Sequence, residues 1–237
     1  MGVDRMSAAD LKAGLVAGGA PVLWARVVRN ALPVMTELVP RGSRVLEVGY
    51  GDGLLTCFLA ANLGWNVVGL DVSEEAWREA RGHVRERGLA GRVDLRVCAP
   101  SETRSHTGTY DAVFIKTVLY SSGTVGEYGL WLDWILSVLR PGGYLVNFET
   151  GRANLLTQLY RKARGRPYAN LSLYTRREEA LYDARFGVTY RRYYGRLSQF
   201  VAPIPWLYAA ASRIEEALAP PSAEHCFVVA TIARKPK

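Results

Sequence analysis

At 237 residues, 49% hydrophobic and 22% charged, the chain can bury one substantial core, and its length allows one or two folding units. Three widely spaced cysteines in apolar strings, Cys57, Cys98 and Cys226, exclude a disulfide framework and a zinc site, so core thiols in a reducing, cytoplasmic compartment and no metal are expected. With Asp4, Arg5, Asp10 and Lys12 ahead of any apolar run no signal peptide is expected, and the longest uncharged run, Leu197 to Ser212, is 16 residues with two prolines, too short to span a bilayer.

Two helices are predicted first, over 7–17 and 21–38, the second with Trp24, Val27, Val28, Leu32 and Met35 at helical spacing. Strands are predicted near 43–48, 66–71, 93–97, 110–115 and 143–149, separated by helices near 53–63, 74–88 and 124–139. Such alternation implies a parallel sheet with helices on both faces. The tail holds strand-like runs at Val188 to Tyr193 and Cys226 to Ala233. Between them a helix from Trp206 to Leu218 places Leu207, Ala210, Ile214 and Leu218 on one apolar face.

Arg44 to Val48 reads as a core strand that runs into Gly49-Tyr50-Gly51-Asp52-Gly53 and then a buried helix. Glycine tolerates φ > 0 and lets a ligand approach the main chain, while the first N–H groups of the helix stay free for its polar atoms. Asp71 closes the next strand 20 residues beyond Gly51, where an acid accepts hydrogen bonds from ribose hydroxyls. It also stands where it can help Ser73 cap the following helix. A dinucleotide fingerprint needs its third glycine at position 54, which is Leu54; here the glycine falls at 53.

The run Glu47-x-Gly49-x-Gly51-x-Gly53 resembles motif I of the class I S-adenosylmethionine-dependent methyltransferases. Asp71, Tyr110 to Ile115 and Leu139 to Val146 match further landmarks of that family in order, over about residues 43–150. The resemblance implies an α/β fold: a Rossmann-like, doubly wound, seven-stranded, mostly parallel sheet with an antiparallel C-terminal hairpin, an N-terminal helical cap and an insertion after strand five. It implies one methyltransferase domain, divided into a cap (1–40), a cofactor-binding core (41–150) and an acceptor-binding insertion with closing strands (151–237). By the same resemblance Glu47 organises the methionine end of S-adenosylmethionine, the turn Gly49, Tyr50, Gly51 to Gly53 passes its amino acid moiety, Asp71 holds the ribose and Val72 packs near adenine. Ala99 stands where the family often has an acid for the adenine amino group, leaving backbone, Ser101 or Glu102 for that task. Lys116 ends strand four, where the methionine moiety passes, and either pairs with a carboxylate or faces solvent.

All the surplus charge of +8 lies in residues 152–196, which hold eleven Lys or Arg against three Asp or Glu, and seven of the thirteen tyrosines. This implies either an anionic or aromatic acceptor, with Arg191 and Arg192 as candidates to recognise it, or a merely solvated face. A peripheral contact with an anionic membrane is also open. Methyl transfer needs alignment more than side-chain chemistry, with a base where the acceptor is a hydroxyl. The base candidates are His106, His225, Tyr120 and Glu149. The expected activity is methyl transfer to oxygen, less readily nitrogen, of a small metabolite, with S-adenosylhomocysteine as product. RNA methylation, a non-catalytic S-adenosylmethionine binder and an NAD-type oxidoreductase are the alternatives. Oligomeric state is not legible.

Overall fold

The structure is a computed structural model, and it describes residues 21–99, 102, 107–119, 124–151, 175–195, 198–201, 204–217 and 223–237. The helix expected over 7–17 lies outside the described residues. The helix α1 (Pro21–Leu38) runs the full predicted length and continues through Pro33, which faces solvent. Five parallel strands follow: β1 (Arg44–Val48), β2 (Asn66–Asp71), β3 (Val93–Val97), β4 (Tyr110–Lys116) and β5 (Leu139–Thr150). Between them lie α2 (Leu54–Leu63), α3 (Glu74–Glu86) and α4 (Val125–Val138). The chain ends with α5 (Arg176–Arg185), β6 (Gly187–Tyr194), α6 (Pro205–Ala217) and β7 (Val228–Arg234).

The seven strands are ordered β3-β2-β1-β4-β5-β7-β6, with β7 antiparallel to both of its neighbours. This is the doubly wound sheet expected, closed by an antiparallel pair. Its central strands are buried on both faces, as parallel strands covered by helices must be. Along β4, Ala112 and Phe114 join one core with α1 and α2, while Val113 and Ile115 join the other with α4 and Tyr182 of α5. Strand β5 starts four residues earlier than predicted, because Leu139 already pairs with Tyr110 and the Arg140 to Gly143 turn forms an irregularity within the strand. Pairing Val48 with Ile115, and Ile115 with Asn147, brings the ends of β1, β4 and β5 to one carboxyl edge.

Two departures concern the tail. Helix α5 was not predicted; a capping box, in which the Thr175 side chain and Glu178 satisfy each other's backbone N–H groups, starts it. Helix α6 is where expected but turned over. Ala210 and Ile214, placed by sequence on one apolar face of the helix, are exposed, whereas Tyr208 and Ser212 are buried. The cause is a distant ion pair. Glu215 on the inner side accepts from the Ser198 N–H at 2.6 Å and lies 3.7 Å from the largely buried Arg26 guanidinium of α1.

Candidate functional site

At the carboxyl edge, where the strand order reverses between β1 and β4, a cavity of about 590 Å³ opens. Three glycines shape it for three different reasons. A Cβ on Gly49 would lie 2.4 Å from Cγ2 of Val118, so Gly49 lets the loop after β4 close down on the turn. A Cβ on Gly51, whose φ is 55°, would meet nothing within 4 Å and would instead fill ligand space. At Gly53, with φ 73°, a Cβ would lie 2.5 Å from the Ala80 Cβ and 2.9 Å from its Cα, so the missing side chain is what lets α2 and α3 approach. Gly53→Ala is therefore expected to lower unfolding free energy by about 2–4 kcal/mol, combining left-handed strain with overpacking. A urea midpoint equal to wild type would contradict this contact.

Asp71 stands beside the Ser73 cap as foreseen, and it lines the cavity. Its Oδ2 accepts from the Gly51 N–H and its Oδ1 from the Ser73 N–H, each at 3.0 Å, while the Ser73 hydroxyl caps α3 by accepting from Ala76 N–H. The carboxylate thus pins the glycine turn to β2 and lines the cavity with lone pairs to spare. Glu47 also lines the cavity but is buried, and its Oε2 has no hydrogen-bond partner. Burial pushes its pKa up to about 7, against the pull of the neighbouring Thr56 hydroxyl and the Lys116 ammonium.

Lys116 is half-buried, with its ammonium 5.1 Å from the centre of the Trp24 ring. Burial lowers its pKa, opposed by Asp52, Glu47 and Glu149. Helix α1 thus lies along the sheet face and reaches Lys116, a lining residue, through Trp24. Next to Lys116, Thr117 takes φ 54°, an outlier for a β-branched residue, and donates its N–H to the Phe148 carbonyl. Thr117 and Val118 line the cavity too, and sequence reasoning missed both.

Other expectations fare differently. Tyr50 borders the cavity, but its ring packs against Gly69, where a Cβ would lie 2.8 Å from the ring, and its hydroxyl donates to the Arg96 carbonyl. Its side chain braces the turn from behind. Val72 is 71% exposed beside the lining residues Asp71 and Ser73, outside the cavity lining itself. Ala99 is also outside the lining, and its N–H donates to Glu102. Glu149 does not offer a carboxylate to the cleft as expected. It is buried, its Oε2 accepts from Leu119 N–H at 3.1 Å and its Oε1 from Thr150 N–H, so it anchors the loop after β4. His225 is exposed in a single 3-10 turn before β7, away from the cavity lining. His106, Tyr120 and Ser101 lie outside the described residues.

In the basic, tyrosine-rich stretch, several described side chains have partners within the fold. Arg191 pairs with Asp183 at 2.9 Å and Arg185 with Asp133 at 2.7 Å. Tyr182 is buried and accepts from the Asn147 side chain, Tyr190 and Tyr194 share a hydroxyl contact, and Tyr193 donates to Glu179. These groups hold α5 and β6 in place and do not border the cavity.

An acid at the end of β2, a buried acid in β1 and a glycine turn, gathered round one cavity at the switch point, define a nucleoside-binding α/β protein. Residues 45–143 match the family model of a methyltransferase domain. Among curated proteins, the chain is 34% identical over 152 residues to 24-methylenesterol C-methyltransferase 2 of Oryza sativa subsp. japonica, covering 60% of this chain and 39% of that one. It is 35% identical over 113 residues to a ubiquinone biosynthesis O-methyltransferase of Xanthomonas axonopodis pv. citri, covering 47% and 45%. The chain therefore spans less than half the length of either relative.

Two solved structures share the fold. A methyltransferase of Methanosarcina mazei superposes with TM-score 0.63 at 23% identity, covering 86% of this chain and 97% of that one. Geranyl diphosphate C-methyltransferase of Streptomyces coelicolor does so with TM-score 0.63 at 15% identity, covering 94% and 86%. Residues 45–143 thus match the methyltransferase domain of S-adenosylmethionine-dependent enzymes in sequence, and the solved structures share the fold.

Proposed function

We propose that the cavity binds S-adenosylmethionine and that the chain transfers its methyl group to a small molecule, at oxygen in preference to nitrogen. The observation that carries this reading is the orphaned Oε2 of Glu47 beside the open space at Gly51, with Asp71 on the same cavity wall. The donor set fits a nucleoside that bears an amino acid. Asp71 has acceptor capacity for ribose hydroxyls, Glu47 has an unused oxygen for an ammonium group, and Lys116 offers a cation for a carboxylate.

When bound, the cofactor supplies a methyl group on a sulfonium leaving group. The residues of this chain then hold the nucleoside in register, and the loop after β4, pinned by Glu149 and by the Val118 contact over Gly49, keeps the cavity wall in place. Alignment of acceptor and methyl supplies most of the acceleration in such a reaction. Relatives named as a 24-methylenesterol C-methyltransferase and a ubiquinone biosynthesis O-methyltransferase support a small-molecule acceptor.

Calorimetry with S-adenosylmethionine, S-adenosylhomocysteine and NAD tests the cofactor. Binding of the two sulfur ligands is expected, and heat from NAD alone would overturn the reading. Asp71→Ala is expected to weaken S-adenosylhomocysteine binding by about 1–3 kcal/mol, since the ribose loses a charged acceptor and the Gly51 N–H its partner. Release of S-adenosylhomocysteine over a library of small hydroxylated metabolites then identifies the acceptor. No release with any of them, despite tight cofactor binding, would favour a non-catalytic binder.

A further inference from the structure

Helix α6 is inverted relative to an ordinary surface helix, which turns its apolar stripe inward. Its inner side carries Ser212 and Glu215 against Arg26, whose guanidinium also donates to the Ser212 carbonyl. Its outer side is apolar: Trp206 is 72% exposed and Ile214 56%, with Ala209, Ala210 and Ala217 exposed beside them. Ile204, just ahead of the helix, is 44% exposed. Trp206, Ala210, Arg213, Ile214 and Ala217 share one side at helical spacing, with Arg213 the charged residue among these five.

The geometry points to α6 as a docking surface for an anionic lipid bilayer. The charge of the chain selects this occupant. The acids of residues 175–195 have partners within the fold: Glu179 accepts from Tyr193, Glu178 caps α5 and the exposed Asp183 pairs with Arg191. Arg213 on α6 and Arg192, which alternates along β6 with Tyr190 and Tyr194 on the α1 side of the sheet, are exposed and have no ion pair with a described residue. A second copy pairing through the same face would bring two Arg213 side chains together on a chain of net charge +8, whereas lipid phosphates would neutralise them. Indole at a wet, apolar boundary is a favoured arrangement, and an apolar face flanked by arginine is how a helix lies in a bilayer interface.

The placement also has a use. Tyr194 and Val228, the residues between which the α6 excursion leaves and rejoins the sheet, pair at the carboxyl edge beside Thr150. That edge carries the cavity, so a docked α6 would hold the site close to molecules dissolved in the bilayer. Among the described residues no helix is long and apolar enough to cross a membrane, so the contact would be peripheral.

Co-sedimentation with phosphatidylcholine vesicles, with and without phosphatidylglycerol, tests this. Wild type is expected to bind the anionic vesicles, less so at high salt, with a blue shift in tryptophan emission that is absent in Trp206→Phe. Trp206→Ser combined with Ile214→Ser is expected to reduce binding at least about tenfold, because two apolar side chains no longer leave water. The thermal midpoint should stay unchanged, since both side chains are exposed. Failure to bind anionic vesicles, or binding unaffected by the double substitution, would overturn the proposal. So would a concentration-dependent dimer, seen by light scattering, that the same double substitution dissolves.

Discussion

Glu47→Gln is expected to make the unliganded protein more stable above neutral pH while weakening cofactor binding. The carboxyl is buried, and burial raises its pKa from 4.5 to about 7. Between those values the folded chain holds a proton that the unfolded chain has released, so stability falls as pH rises through this window. The contribution is fully present below the unfolded value and lost above about 7, a change of about 3 kcal/mol. Glutamine keeps the shape without a charge to desolvate, so the variant should match wild type in acid and exceed it by up to about 3 kcal/mol in mild alkali. Urea titrations across that range measure this directly.

The ligand side carries the opposite sign. If Glu47 receives the ammonium of the cofactor as a carboxylate, wild-type affinity for S-adenosylhomocysteine should strengthen as pH rises through about 7, and binding near neutrality should release a proton. Calorimetry in two buffers of different ionisation enthalpy detects that proton, and Glu47→Gln should abolish it. A variant destabilised at every pH would mean that Glu47 is a structural acceptor and not a group held ready for a ligand. The expected trade of stability for binding is the pattern of a functional group placed where the fold alone would not have put a charge.

Much of this site is legible in sequence because its determinants are local. The Glu47 to Gly53 run and the spacing to Asp71 fix a turn and its partner strand, and α1 follows from its apolar spacing alone. The unread parts depend on contacts between distant residues. Glu149 sits at the right end of β5, but its capture by the Leu119 N–H, 30 residues away, depends on how the loop after β4 folds back. The inward turn of α6 depends on Arg26, 189 positions before Glu215. Composition alone does not show the pairing within the basic stretch: Arg185 and Arg191 have acidic partners on α4 and α5 that no count of charges reveals. One missed element did carry a local signal. Thr175 with Glu178 is a capping box, and it marks the start of α5 in a segment too polar for apolar spacing to find.

Lys116→Met is expected to weaken S-adenosylhomocysteine binding by about 1.5–3 kcal/mol while leaving 5′-methylthioadenosine unaffected. The two ligands share nucleoside and sulfur, and only the first carries an amino acid carboxylate. Among the described lining residues Lys116 is the one cation, facing Glu47, Asp52, Asp71, Glu75 and Glu79, and no described carboxylate lies within 4 Å of its ammonium. The Trp24 ring holds the ammonium in place without neutralising it, so its charge remains available to an incoming anion. Methionine keeps most of the bulk against Trp24, so the cavity should survive and the unliganded thermal midpoint should hold or rise as a half-buried charge is removed. Equal weakening of both ligands would mean that Lys116 acts by shaping the cavity through Trp24. Unchanged binding of both would place the carboxylate elsewhere. Failure of either ligand to bind wild type would instead remove the cofactor assignment itself, so the pair of ligands separates an error about this lysine from an error about the whole site.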